Sequence, residues 1–466
     1  MIADFFADKK RIFIIGGLIV FFLLIVFGII SVLNREQNTV KVKPKCDPNV
    51  DPTCEIGIDP GNINTKDEIT INIWGVFDDS VTLQPLIDSF NRDYPNIKIV
   101  FSKKDYSDYE RNLIDEIAAG EGPDIFAVNN YWIPKHRSKM SPAANSMLSI
   151  EEYNQTFIPS VYEDFVIDGK IYGIPLYTDN MALIYNRDIL GKSNIYEVPK
   201  YWEDVLSTSK IITKKQIGNP NEIEIAGIGI GTADNVSRSS DILLAMMMQT
   251  GTPIISNDKR SYNFNQFRKN SEGLPEYPGT NALSFYTSFA NPNTGSYSWN
   301  EKQMGTIEAF ANGKVGMILG YNYFLPLIEK INPSLKYGVS ELPQIKGAPE
   351  NISITNYWGW SVNRNTKYSN EAWAFLLSLS KKENIQNYLS STGRVSPRKD
   401  IKGTTINIQV FENQKSYAKT IFKPDAEKID QIFDEMINDV VKYKQSPQNS
   451  IDTATRKANE LLSKFY

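Results

Sequence analysis

The chain has 466 residues, room for two or three domains, and its 41% hydrophobic and 22% charged content is that of a folded protein. Its 50 basic and 54 acidic residues are intermixed and leave a net charge of −4, which excludes the footprint of a nucleic-acid binder. His136 is the one histidine, and the two cysteines form no Cys-x-x-Cys pair; the usual zinc sites are excluded, and neither metal nor cofactor is expected.

Residues 12–33 are an apolar run whose only polar member is Ser31, long enough to cross a bilayer as a helix. Lys9, Lys10 and Arg11 precede it and place the N-terminus in the cytoplasm. The run ends IISVLNREQ, without the small-residue cleavage site of a signal peptide, and no cysteine directly follows it. The expectation is an uncleaved, single-pass anchor (1–11 cytoplasmic, 12–33 in the cell membrane) with the rest of the chain outside. Residues 34–67, with Pro44, Pro48, Pro52 and Pro60, read as a tether. Within it Cys46 and Cys54 could pair in an oxidising exterior. Asp47 and Asp51 between them do not fit a calcium loop.

Folded sequence begins at Glu68. Ile69, Ile71 and Ile73 alternate as in a strand, Leu83, Leu86, Ile87 and Phe90 recur at helical spacing, and Ile97, Ile99 and Phe101 alternate again. Ser107 and Glu110 read as a capping box before Leu113, Ile114 and Ile117, Gly120 closes that helix, and residues 124–128 are a third strand. The order βαβαβ predicts parallel strands in a doubly wound sheet, which binds ligands beyond the carboxyl ends of its strands. Trp74, Phe77, Asp78 and Asp79 lie beyond the first strand, and Asn129, Asn130 and Trp132 beyond the third. Sugars want this mixture, because rings cover their C–H faces while amides and carboxylates bind hydroxyls. Asp79 equally reads as a helix cap, and Trp132 as core.

Residues 171–186, IYGIPLYTDNMALIYN, hold two apolar segments around Tyr177, Thr178, Asp179 and Asn180. They form either a hairpin or a crossing between two lobes; the α/β pattern on both sides favours the crossing. Tyr177 and Asp179 then face the cleft, whereas Asn180 is a ligand contact or a turn residue. Further on, Gly227, Gly229 and Gly231 are not spaced as a dinucleotide fingerprint. Residues 239–250 form an apolar helix whose adjacent Met246, Met247 and Met248 point all round it, as burial requires. A strand over 315–320 runs directly into Tyr321, Asn322 and Tyr323. In the strand over 355–362, Trp358 and Trp360 share one face and Tyr357 lies on the other. Arg394, in the loop GRVSPRKD, faces either a ligand or a surface carboxylate. Residues 425–443 and 450–465 are amphipathic helices.

Five stretches, in order, resemble one family: GEGPDIFAV (120–128), YGIPLYTDNMALIYN (172–186), EAFANGKVGMILGYNYF (308–324), YGVSELPQ (337–344) and YWGWSVNRNTKYSNEAWAFLLSL (357–379). The family is the extracellular solute-binding proteins of family 1, the maltose-binding-protein-like receptors of ABC-type sugar importers. The resemblance implies a periplasmic-binding-protein-like type II fold: two doubly wound α/β lobes joined by a multi-crossing hinge. It puts crossings near 177–181, 313–317 and 342–355, lobe 1 at 68–178 and 315–345, and lobe 2 at 180–313 and 355–466. It places the cleft at the loops already identified and at Asp179, Tyr321, Asn322, Tyr323, Tyr357 and Trp358. It implies a monomer that captures a carbohydrate, an oligosaccharide by expectation, and passes it to ABC permease subunits without catalysis. Relatives are often lipoproteins or soluble periplasmic proteins; here the apolar run at 12–33 takes that place. Three rivals remain. A glycoside hydrolase would pair Asp78 and Asp79 with Asp124 or Asp179. A sensory or adhesive module would use the same clamp. A receptor for a charged solute such as a peptide or polyamine would need a pocket dominated by one sign of charge.

Overall fold

The computed structural model describes residues 63–64, 66–269, 272–403 and 405–466. The predicted anchor, most of the tether and the pairing of Cys46 with Cys54 lie outside the described residues. Among the described residues no helix is long and apolar enough to cross a membrane.

The first sheet starts as the alternation of isoleucines predicts. In strand Ile69–Gly75 Ile69, Ile71 and Ile73 are buried while Thr70 and Asn72 are exposed. It pairs in parallel with Ile97–Lys103 on one side and Ile125–Asn129 on the other. Beyond Ile125–Asn129 comes Trp358–Asn363, which runs antiparallel and carries Met140–Ser141 and Ile174–Pro175 on its far side. Helix Ser80–Asp93 is capped by the Asp79 side chain, and helix Tyr109–Ala119 ends at Gly120, whose φ of 80° needs a glycine. The predicted capping box does not form: Asp108 is the N-cap residue, Ser107 bonds Asp105, and Glu110 turns to Lys135 and His136.

The second sheet runs in the order Tyr337–Glu341, Ala182–Asn186, Val315–Gly320, Asn219–Ile228, Lys214–Gln216. It is mixed rather than purely parallel, since Ala182–Asn186 is antiparallel to both neighbours. That strand arrives from the other sheet instead of from a crossover helix on its own, so nothing forces it to be parallel.

The chain leaves the first sheet at Pro175 and joins the second at Ala182, so 176–181 is a crossing and not a hairpin turn. Two other segments lie beside it: Thr178 bridges Val395, and Asn180 bridges Thr355. The predicted lobe boundaries need correction here. Val315–Gly320 and Tyr337–Glu341, expected in the first lobe, flank Ala182–Asn186 in the second sheet, with Met317 opposite Tyr185 and Val339 opposite Ile184. Residues 355–400, expected in the second lobe, supply Trp358–Asn363 to the first sheet and bury Trp373, Ile385 and Tyr388 in its core. There is therefore no crossing at 313–317. A strand buried on both faces, such as VGMILG, carries no signal of which sheet it joins, because its pattern is satisfied by either.

The closing segment returns to the second lobe, where helices Ala426–Val441 and Pro447–Ser463 cover the core with Ile429, Phe433, Met436 and Ile451. On its way it touches the first lobe, among other places at Thr420, Lys423 and Asp425. Thr420 donates to Asp164 at 2.7 Å, the Lys423 ammonium stands 4.4 Å from the Tyr131 ring, and Lys135 reaches Asp425 at 3.2 Å.

Trp373 tests the packing of this segment. It is fully buried, and its indole N–H donates to the Ser141 carbonyl at 3.0 Å. Trp373→Ala should cost about 3–5 kcal/mol in urea unfolding. An unchanged midpoint would mean that residue 373 is not packed in a core.

Candidate functional site

Between the lobes lies a cleft of about 1550 Å³, lined by the loops at the strand ends. The first lobe contributes rings. Trp358 stands at the end of its strand opposite Asn129. Phe77 meets Trp358 edge-on at 5.3 Å and Trp132 meets it at 4.8 Å. Tyr106, which the sequence did not single out, adds a fourth ring 5.6 Å from Phe77. Phe77 is 46% exposed and Tyr106 55% exposed, so these large rings face water on a surface that also lines the cleft. A contiguous exposed aromatic patch is informative in a way that a lone exposed leucine is not.

The floor is polar and almost dry. Asp78, 8% exposed, accepts from the Arg394 guanidinium at 2.9 Å and from the Tyr388 hydroxyl at 2.8 Å. The guanidinium carbon of Arg394 is 4.1 Å from the Tyr177 ring centroid. Arg394 thus forms an ion pair, as one sequence reading allows, but a largely buried one that lines the cleft. Asp179 accepts from the backbone N–H groups of Asn322 at 2.6 Å and Tyr323 at 3.2 Å. Burial pushes its carboxyl up to about 7 against the pull of those two hydrogen bonds.

The second lobe supplies Asn322, Tyr323, Arg238 and the polar face of helix Ala426–Val441. On that face Asp434 accepts from the Ser239 hydroxyl at 2.6 Å, and burial raises its carboxyl to about 6.

Ten of the predicted residues line the cleft: Phe77, Asp78, Asn129, Trp132, Tyr177, Asp179, Asn322, Tyr323, Trp358 and Arg394. The other five are placed elsewhere. Trp74 packs on the first core with the Lys104 ammonium 3.7 Å from its ring. Asp79 caps its helix through Thr82 at 2.8 Å. Asn130 and Tyr357 both donate to the buried Asp164, at 2.9 and 2.6 Å. Tyr321 is fully buried and donates to Asp241 at 2.9 Å. Tyr357 directly precedes strand Trp358–Asn363, where a neighbour of a cleft residue points the opposite way, and Tyr321 turns inward to Asp241. Asn180 bonds the Phe411 carbonyl and belongs to the hinge.

Arg238, Glu110 and the polar stripe of Ala426–Val441 also line the cleft and were not anticipated. The stripe is the polar side of an amphipathic helix, which in sequence reads as a solvent face. Two of the carboxylates a hydrolytic pair would draw on are otherwise engaged. Asp79 is a cap, and Asp124 is held by the Asn72 amide and the Thr366 hydroxyl. Among the described residues, no cluster of His, Cys, Asp or Glu is placed to hold a metal ion.

Residues 85–409 match the family model described as bacterial extracellular solute-binding protein. A binding protein of Brucella abortus (strain 2308) is 24% identical over 392 residues, which cover 81% of this chain and 88% of that one. The sn-glycerol-3-phosphate-binding periplasmic protein of Shigella flexneri serotype 5b (strain 8401) is 24% identical over 437 residues, covering 86% and 94%. Among solved structures, the cyclic α-maltosyl-1,6-maltose binding protein of Arthrobacter globiformis superposes with a TM-score of 0.71 at 15% identity, covering 85% of this chain and 99% of that one. The α/β fold is shared with that protein, and the chain belongs to the bacterial extracellular solute-binding proteins.

Proposed function

We propose that this protein captures a carbohydrate, an oligosaccharide rather than a single sugar, between its lobes and delivers it to an ABC-type importer. The observation that carries this reading is the wall formed by Phe77, Tyr106, Trp132 and Trp358, facing a wall of carboxylates and amides across a cleft of about 1550 Å³. That volume exceeds the roughly 300–1,000 Å³ of ordinary small-molecule pockets. Ring faces exclude water from the C–H faces of a sugar, and the opposite wall accepts from its hydroxyls. The Arthrobacter protein is named for binding an oligosaccharide, which agrees with this reading.

The charge of the lining argues against an anionic cargo such as the glycerol phosphate of the Shigella relative. Asp78, Glu110, Asp179, Glu329, Glu412, Glu427, Asp430, Asp434 and Glu435 outnumber Arg111, Arg238, Arg394 and Lys402. Arg394 is already paired with Asp78. A neutral polyol meets no net repulsion there.

In this reading no bond is made or broken. Sugar bound to one wall favours the closed arrangement because only closure lets the second wall contact it. Residues 12–33 anchor the clamp in the membrane and keep it within reach of the permease, which raises its effective concentration. The chain works as a monomer.

Tryptophan fluorescence of the full chain should respond to at least one member of a panel of maltose, maltotetraose, cellotetraose, xylotetraose and chitotetraose, and not to sn-glycerol-3-phosphate. Trp358→Ala should weaken that binding at least about tenfold, the loss of one stacked ring. A response to the phosphate alone would contradict the carbohydrate assignment.

Asp179 also sets a pH dependence. Its carboxyl holds a proton up to about 7 in the folded chain and up to 3.8 in the unfolded one. The stability it contributes is complete below the unfolded value and is lost as pH rises through the folded value. Asp164 and Asp434, both raised to about 6 by burial, act in the same direction. Urea unfolding should show a more stable protein at about pH 5 than at about pH 8, and Asp179→Asn should shrink that difference. An unchanged difference in the variant would mean that Asp179 titrates normally.

A further inference from the structure

Arg238 has an unusual backbone. Its φ of 64° lies in the left-handed region that side chains rarely adopt, immediately before the buried helix Ser239–Gln249. A residue held there is fixed by its surroundings, and such positions cluster at functional sites. The side chain is fixed as well. Its Nε donates to the Tyr323 hydroxyl at 3.1 Å, and its guanidinium carbon is 5.9 Å from the Tyr321 ring centroid. Asp241 lies 3.9 Å away, beyond hydrogen-bond reach, and is already met by the Lys423 ammonium and the Tyr321 hydroxyl. A guanidinium has five N–H donors. Among the described residues only the Nε donor of Arg238 has a protein acceptor, and the side chain lines the cleft.

Arg394 mirrors this arrangement from the first lobe. It lies against Tyr177 as Arg238 lies beside Tyr321 and Tyr323, and it spends Nη1 on Asp78 and Tyr388. Its Nε and Nη2 have no acceptor among the described residues. Asp179 sits on the crossing segment between the two, 6% exposed, within the electrostatic reach of both guanidiniums. The floor of the cleft is therefore an acceptor flanked by two half-used donor forks, one from each lobe.

Resting on the carbohydrate reading above, we propose that Arg238 is the specificity-determining residue of the second lobe: its guanidinium and that of Arg394 bind adjacent hydroxyls of one neutral sugar ring seated over Asp179, and so tie the lobes together. A planar fork matches a pair of neighbouring oxygens better than an ammonium can. The choice of a hydroxyl over a phosphate follows from the charge around the two forks: acidic side chains outnumber basic ones in the lining and Arg394 is already paired with Asp78, so a neutral group that can both accept and donate is favoured over an anion.

Two variants of the full chain separate recognition from structure. Arg238→Gly relaxes the left-handed backbone, so its urea midpoint should equal or exceed that of the wild type. Its affinity for the panel glycan bound by the wild type should nonetheless fall at least about tenfold, as loss of a charge-assisted hydrogen bond requires. Arg238→Lys keeps the charge without the fork and should not restore affinity. Either variant binding that glycan within about twofold of the wild type would overturn the proposal. So would variants that are destabilised and bind only in proportion to their folded fraction, which would make Arg238 structural. If the wild type binds no panel glycan, the carbohydrate reading itself has failed; if it binds a glycan and Arg238→Gly binds it as well, only the present inference has.

Discussion

The structure turns on the carboxylate of Asp179. It lies on the segment that leaves the first sheet after Pro175 and joins the second at Ala182. There it accepts the backbone amides of Asn322 and Tyr323, the turn that follows the central strand of the second lobe. Its own carbonyl accepts from the Thr355 hydroxyl and from the Asn356 amide on another crossing segment. One residue thus fixes two crossings to the turn that carries cleft residues Asn322 and Tyr323. A buried carboxylate is costly unless such donors meet it, so the chain at this point has few alternative arrangements. The cleft residues Tyr177, Arg394, Asn322 and Tyr323 hold their places because this knot does.

The lobes are also joined away from the cleft floor. Thr420, Lys423 and Asp425 touch Asp164, Tyr131 and Lys135 of the first lobe through a hydroxyl, a ring and an ion pair. These contacts lead directly into helix Ala426–Val441, whose polar face is the carboxylate wall of the cleft. Relative motion of the lobes must therefore either pivot on these contacts or break them, and the helix that meets the ligand moves with them. Rigid secondary structure attached to a few yielding contacts is the usual physical form of a hinge.

Much of this was legible in the sequence, for reasons that also explain the failures. The alternation at Ile69, Ile71 and Ile73 fixed the first strand, and the βαβαβ order pointed to its carboxyl end as the cleft. That rule reached Phe77, Asp78 and Trp132 directly. It overreached at Trp74 and Asn130, because a loop presents only some of its residues to one side. Lobe membership was misread at 315–345 and 355–400, since a strand like VGMILG, buried throughout, satisfies either sheet. Arg238 and the Ala426–Val441 stripe were missed for the opposite reason: polar residues on a helix face or in a loop look like solvent contacts until the fold sets another wall opposite them.

The central claim is that a glycan closes the two walls on each other. Asp115 and Lys330 are exposed on helices Tyr109–Ala119 and Phe324–Ile331, which carry Arg111 and Glu329 on opposite sides of the cleft. Spin labels on cysteines introduced at these two positions, in a background with Cys46 and Cys54 replaced by serine, report the width of the cleft. Saturating glycan should shorten the Asp115–Lys330 label distance and narrow its distribution. An unchanged distribution with glycan demonstrably bound would contradict it.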